Sequence, residues 1–224
     1  MWRLTKRIII ILFIAQLVYI VALKWINPPI TITQFKSLTS GEGLKRDYIS
    51  FEKMPKSIKL AAIGSEDQLF ATHNGFDKKS IEKALDYNKK KKGKKVRGAS
   101  TISQQVAKNV FLWQGRSWFR KGVEVYFTFM IETIWGKKRI LEMYLNIAEM
   151  GVGVYGVEAA SQHYFNKPAI KLTRNEAARL AVSLPNPKKY RINPPSAFVA
   201  NRAVWVERQM RNIEGDPMVK ELLE

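Results

Sequence analysis

Glu66 stands in the run Ala61-Ala62-Ile63-Gly64-Ser65-Glu66-Asp67-Gln68-Leu69-Phe70. If this run is helical, the residues three and four positions away are Ala62, Ile63, Leu69 and Phe70, all apolar. A surface helix turns its glutamates to water, whereas this one turns Glu66 into its apolar stripe. Removal from water penalises the charged form and raises the pKa, which makes a glutamate a competent general base near neutrality. The plain structural alternative is a buried glutamate paired with an arginine. Asp67, next in the chain, is either a partner of Glu66 or a cap-type acceptor.

Glu124 has the opposite surroundings. Arg120 and Lys121 precede it by four and three residues, and Thr128 and Glu132 continue a polar line along an otherwise apolar helix. Such a helix belongs in a core, so its polar line faces a cleft or a satisfied network. Beside two cations Glu124 is expected to stay ionised. Two carboxylates in unlike environments form the pattern that acid/base chemistry needs; the alternative for Glu124 is a simple i,i+4 ion pair.

Between them lies Gly98-Ala99-Ser100-Thr101-Ile102-Ser103-Gln104-Gln105-Val106-Ala107-Lys108-Asn109. Small residues open a helix there, and its first N–H groups are expected to suit an anion. Gln104, Gln105, Lys108 and Asn109 follow with amides and an ammonium over one to two turns. Amides and hydroxyls recognise sugars, and Lys108 with Arg116 and Lys121 can grip a diphosphate.

The elements that must position these groups are helices. Pro55 opens one through about residue 70, ended by His73-Asn74-Gly75. Asp77 caps a second to about residue 88. Residues 89–95, six lysines and a glycine, read as a solvated loop. Ser100 or Thr101 caps a helix to about 112, and Ser117 one to about 135. Further helices are expected over 137–148, 155–165, 173–184 (with the capping box Thr173-x-x-Glu176) and 196–211. No stretch alternates in the manner of a strand, so the class is all-α. Residues 27–53 read as a weakly structured stem with one extended patch at 30–35, leading into a domain over 54–224.

Arg3, Lys6 and Arg7 precede an apolar run that reaches Ile26, 19 residues from Ile8. At about 1.5 Å per residue this is about 28 Å, one hydrocarbon core. No small-residue cleavage pattern follows, so residues 8–26 are expected to remain as a single span, with residues 1–7 as its cytoplasmic flank and the rest of the chain outside. The chain of 224 residues carries 38 Lys and Arg against 19 Asp and Glu, a formal charge of +19. That excess points to anionic partners, and an outward domain disfavours nucleic acid among them. With no cysteine, thiolate metal sites and cysteine nucleophiles are excluded; His73 and His163 are too few for a histidine-rich centre.

The ordered motifs resemble those of the family 51 glycosyltransferases. Ala62-Ile63-x-Ser65-Glu66-Asp67-x-x-Phe70-x-x-His73-x-Gly75-Phe76-Asp77 is similar to the family's first motif, residues 98–109 to its second, and Arg120-Lys121-x-x-Glu124 to its third. Lys138-Arg139-Ile140-Leu141-Glu142-x-Tyr144-Leu145-Asn146, residues 151–160 and Leu184-Pro185-Asn186-Pro187 continue the pattern. The likeness covers about residues 45–213. Two departures are small: Ser103 where threonine is common, and Gly136 where serine is frequent. In 224 residues a penicillin-binding second domain has no room, so the expectation is a monofunctional member.

The resemblance implies a lysozyme-like helical domain on a membrane anchor, working at the bacterial cytoplasmic membrane with its catalytic domain on the outer, periplasmic side. It implies polymerisation of lipid II into glycan strands with release of undecaprenyl diphosphate. Glu66 would be the general base on the acceptor hydroxyl, and Glu124 would assist at the donor. Ser100, Gln104, Gln105, Lys108, Arg116 and Lys121 would bind sugar and diphosphate, and Asp67, His73 and Asn109, inside the same motifs, join the substrate-binding set. No organic cofactor is implied; a divalent metal such as Mg2+ is left open as an assistant. The implied partners are lipid II, the growing lipid-linked strand, the bilayer and other cell-wall synthesis or division proteins, not nucleic acid. Two rivals compete: a lysozyme-like lytic transglycosylase that cleaves glycan, and a membrane-tethered basic module that binds anionic lipid or nucleic acid.

Overall fold

The computed structural model describes residues 2–91, 98–115 and 117–224. Its first helix, α1 (Trp2–Ala22), starts within the basic flank and ends before Lys24, a few residues earlier at both ends than the expected span. It is long and apolar enough to cross a membrane, with a mean hydropathy of 2.1 over its most apolar window. Residues Ile8 to Ile14 are exposed, whereas Ile20 and Leu23 at its far end are buried against the domain.

The segment after α1 differs from the expectation. Residues that read as a loose stem fold into α2 (Ile32–Thr39), closed by a full capping box in which Thr31 accepts from the Gln34 N–H and Gln34 accepts from the Thr31 N–H. Thr31-Ile32-Thr33-Gln34 carries this signal locally, and it outweighs the β-branched residues that suggested an extended patch. The segment is tied down by the Tyr48 hydroxyl, which donates to Pro28 O at 3.2 Å, and by the Tyr155 hydroxyl, which donates to Thr33 O at 3.3 Å.

Helix α3 (Lys56–Glu66) is the buried centre: its residues Ile58 to Gly64 are all inside. Ala61, Ala62 and Gly64 leave room for close packing, and a Cβ on Gly64 would meet Gln209 and the Met210 backbone at 3.3 Å. These contacts come from α10 (Ala197–Glu214), which with α9 (Arg174–Ser183) covers α3 on one flank. On the other, α5 (Ile102–Phe111) packs on α6 (Trp118–Ile134) and α7 (Lys137–Ile147). The remaining helices are α4 (Lys78–Lys90), α8 (Val157–Phe165) and α11 (Pro217–Leu223). The last of these was not legible as a separate element; Asp216 caps it and Pro217 sits at its first position.

The class is all-α, with one small patch of sheet. β1 (Lys45–Arg46) pairs in parallel with β3 (Val154–Tyr155), which pairs antiparallel with β2 (Glu149–Gly151). Strands of two or three residues show no alternation, which is why the sequence pattern did not announce them. Of the lysine run at 89–95, Lys89 and Lys90 end α4, Lys91 caps it, and the rest lies outside the described residues.

Candidate active site

Glu66 is the last residue of α3, four residues short of the expected helix end. Asp67 leaves helical geometry because its carboxylate is drawn to another element: Oδ2 accepts from the Ile102 N–H at 2.9 Å. The same carboxylate receives His73 Nε2 at 2.9 and 3.0 Å, and His73 Nδ1 accepts from the Gly75 N–H at 3.1 Å. Asp67 is therefore a cap-type acceptor for the start of α5, and the acidic group suits the positive end of that helix. His73 points inward to this junction and lines none of the three cavities around the site.

The α5 N-terminus is not the open anion site expected from its small residues. Asp67 takes the Ile102 N–H, and a capping box joins Thr101 and Gln104 reciprocally at 3.1 and 3.2 Å. The Thr101 hydroxyl donates onward to Gly75 O at 2.7 Å. Gln104 Oε1 is thus committed to its own helix start, while the residue lines the cavity beside Ser100, Arg120 and Lys121. The capping box Thr101-x-x-Gln104 was visible in the sequence; the reach of Asp67 across 35 residues was not.

One turn further on, α5 serves both glutamates. Gln105 Nε2 donates to Glu66 Oε2 at 2.8 Å, and its own Oε1 accepts from the buried Tyr144 hydroxyl at 3.3 Å. Burial raises the pKa of Glu66 above the ordinary glutamate value; the Gln105 hydrogen bond and Arg202 oppose that rise, and Asp67 adds to it. Lys108, three residues after Gln105 on the same face, has its pKa lowered by burial, with Glu124 supporting its charge and Arg120 and Lys121 opposing it.

Glu124, only 3% exposed, is held from both sides. Arg120 Nη1 donates to Oε2 at 2.7 Å, and Lys121 Nζ donates to Oε1. Arg120 is itself fixed through Nε to Gly115 O at 2.8 Å. The i,i+4 pair is present, as the simple alternative predicted, and it sits in a wider cluster with Lys108. Arg120 and Lys121 line a largely apolar cavity of about 650 Å³ with Ser100 and Gln104. Lys108, Asn109 and Gln105 line a second, of about 380 Å³, reaching toward α2. Glu66 lines a third, of about 620 Å³, with Asp67 and Ser100. Ser100 borders both its cavity and that of Arg120. Arg116 lies outside the described residues.

Three groups that sequence reasoning did not assign belong to this region. Arg120 was noted only as a neighbour of Glu124. Glu132, on the polar line of α6, accepts from the Ser103 hydroxyl and from Lys137 Nζ at 2.6 Å, tying α5, α6 and α7 together beneath the site. Arg202 approaches from α10, and no local spacing connects it to Glu66.

Both carboxylate oxygens of Glu124 accept from cationic side chains, and among the described residues no three His, Asp or Glu side chains gather to hold an ion.

The site combines a half-buried carboxylate of raised pKa at the end of α3 with cations gathered around Glu124 on α6, a set suited to acid–base and anion chemistry. The family model described as Transglycosylase matches residues 32–211, and the chain belongs to that family. Among its relatives, a biosynthetic peptidoglycan transglycosylase of Shewanella oneidensis is 46% identical over 97% of this chain and 94% of its own. Proteins of the same name from Shigella boydii (55% identical over 78% of this chain and 72% of its own) and Aeromonas hydrophila (46% over 91% and 88%) are also similar.

Proposed function

We propose that this protein is a peptidoglycan glycosyltransferase that polymerises lipid II into glycan strands and releases undecaprenyl diphosphate. The observation that carries the reading is the double service of α5: one turn apart, Gln105 orients Glu66 while Lys108 joins the cations around Glu124. A sugar hydroxyl at Glu66 and a diphosphate at the cations are then served from one rigid element.

The donor's anomeric carbon carries an α-linked diphosphate, and the product linkage is β. One inversion requires one in-line displacement without a covalent enzyme intermediate. Glu66 takes the proton of the acceptor's 4-hydroxyl as the new C–O bond forms. The departing diphosphate gathers negative charge, which Lys108, Arg120 and Lys121 stabilise from fixed positions, with Glu124 holding the last two in place. The chemistry needs no organic cofactor.

The substrate's polyprenyl tail keeps the reaction at a bilayer. Helix α1 fits a membrane-anchored protein, and Trp113, Trp118 and Phe119 expose aromatic surface between α5 and the start of α6, where a headgroup region would receive it. With Arg3, Lys6 and Arg7 retained inside, the catalytic domain stands on the outer face of the bacterial cytoplasmic membrane. There it meets the growing lipid-linked strand and the other proteins of wall synthesis or division.

A lytic enzyme that cleaves glycan would share an essential glutamate but has no use for the cations at Glu124, and the relatives above are named as biosynthetic. The membrane-tethered binding module leaves Glu66 and its Gln105–Tyr144 support without a purpose. Labelled lipid II separates the readings. Gel analysis should show strands lengthening with the wild type and little or no product with Glu66→Gln; near-wild-type turnover by that variant would refute the assignment of the base.

A further inference from the structure

Arg202 and Trp205 lie one turn apart on α10 and line the same cavity as Glu66. The guanidinium carbon of Arg202 sits 3.6 Å from the centre of the Trp205 ring. Stacking of this kind fixes the plane of a guanidinium while leaving its N–H groups free to bind elsewhere. Among the described residues no carboxylate pairs with Arg202. The acids sharing its cavity are already engaged: Glu66 with Gln105, Asp67 with His73 and the Ile102 N–H, and Asp77 with the N–H and hydroxyl of Ser80 at 2.9 and 2.5 Å. Arg202 is nonetheless close enough to oppose the rise of the Glu66 pKa.

We infer that the Arg202–Trp205 pair is a substrate subsite that binds a carboxylate carried by the peptide of the incoming sugar acceptor. The inference rests on the function proposed above. A cation stacked in place, without an acid partner, in the cavity of the catalytic base is arranged for an anion that arrives with the substrate. That anion is not the departing diphosphate, because Lys108, Arg120 and Lys121 line the other two cavities, nor the acceptor's own, which stays with its polyprenyl tail at the bilayer, at the other end of the disaccharide from the hydroxyl that meets Glu66. The remaining anions on a lipid-linked disaccharide peptide are the peptide's carboxylates. A guanidinium fork matches a carboxylate with two parallel hydrogen bonds. Binding there would hold the acceptor sugar with its hydroxyl toward Glu66, and would make the enzyme sensitive to the charge of the peptide.

The test uses the full-length protein in detergent micelles and two lipid-linked disaccharide peptides, one with free peptide carboxylates and one with the same carboxylates converted to amides. Wild type should prefer the free form. Arg202→Gln should raise KM about tenfold more for the free form than for the amidated one, erasing the preference. Arg202→Lys, which keeps the charge but loses the planar fork, should restore part of it. Equal losses on both substrates, no loss on either, or a shifted pH profile with the preference intact would overturn the subsite while leaving the polymerase reading in place. A wild-type enzyme that lengthens no strand from either substrate would overturn both.

Discussion

In the proposed reaction Glu66 is the base and Lys108 a cation at the leaving group, and burial works against the charged form of both. Burial raises the pKa of the carboxyl and lowers that of the ammonium. A base must be unprotonated to act, so activity should fall on the acid side with a midpoint above the ordinary glutamate range, and the pH profile of kcat/KM checks this. Glu66→Gln should cost about 10²–10⁴-fold in turnover, the usual contribution of a positioned base. The same substitution should not unfold the protein. Because the folded-state pKa of Glu66 lies above its unfolded value, the folded state loses stability as pH rises from the ordinary glutamate value through the raised one. Glu66→Gln removes that loss, so its melting temperature should equal or exceed wild type at neutral pH, and the difference should shrink below about pH 4. Lys108→Ala removes a fixed cation from the leaving group and should lower kcat by about 10²-fold; unchanged kinetics with lipid II would exclude Lys108 from that role.

Helix α5 is the element on which the site depends, because its start is held by Asp67 and its middle reaches both glutamates. Asp67→Ala would strand the Ile102 N–H and His73 together in a buried junction. Loss of about 2–3 kcal/mol is expected from orphaned groups bonded to a buried charge, read as a lower urea midpoint. Activity should fall with it, since Gln105 no longer meets Glu66 in register; a variant as stable as wild type would show that the junction does not hold α5. Much of this element was readable beforehand. Thr101-x-x-Gln104 announced the helix start, and the spacing of Gln105 and Lys108 placed them on one face. Its N–H groups are not free for a ligand: Thr101 takes that of Gln104, a local signal, and Asp67, remote in sequence, takes that of Ile102. The same contact explains why α3 stops at Glu66 although the apolar pattern runs on to Phe70: a tertiary hydrogen bond wins over local periodicity.

In the molecule as a whole, the membrane helix and the catalytic domain are joined by a hydrogen-bonded hinge rather than a loose tether. Trp135 Nε1 donates to Ile20 O at 2.8 Å, and the Arg139 guanidinium donates to Leu23 O at 3.0 Å and to Ile26 O at 2.9 Å, so α6 and α7 cap the end of α1. In a protein anchored through α1, this joint would set the angle of the domain to the bilayer. Arg139→Ala should leave the protein in the membrane, since α1 is unchanged, while backbone hydrogen exchange over residues 23–27 accelerates roughly tenfold or more. Unaltered exchange there would show that the joint is held by apolar packing alone. The residues after α1 were expected to be a weak stem because their composition is mixed. Their order comes from α2's capping box and from the Tyr48 and Tyr155 hydroxyls, of which only the first is a local signal.

Local chemistry and periodicity were enough to single out Glu66, Glu124 and the helix between them, the all-α class and the apolar N-terminal run. Each of these depends on neighbours within a turn or two of the chain, where 3.6-residue geometry makes spacing equivalent to contact. Arg202 beside Glu66, the closure of the α5 terminus by Asp67, the Glu132–Lys137–Ser103 tie and the docking of α1 all join residues distant in the chain. Their meeting is set by how buried faces pack, so it became visible only when α3 was enclosed between α9–α10 and α5–α7.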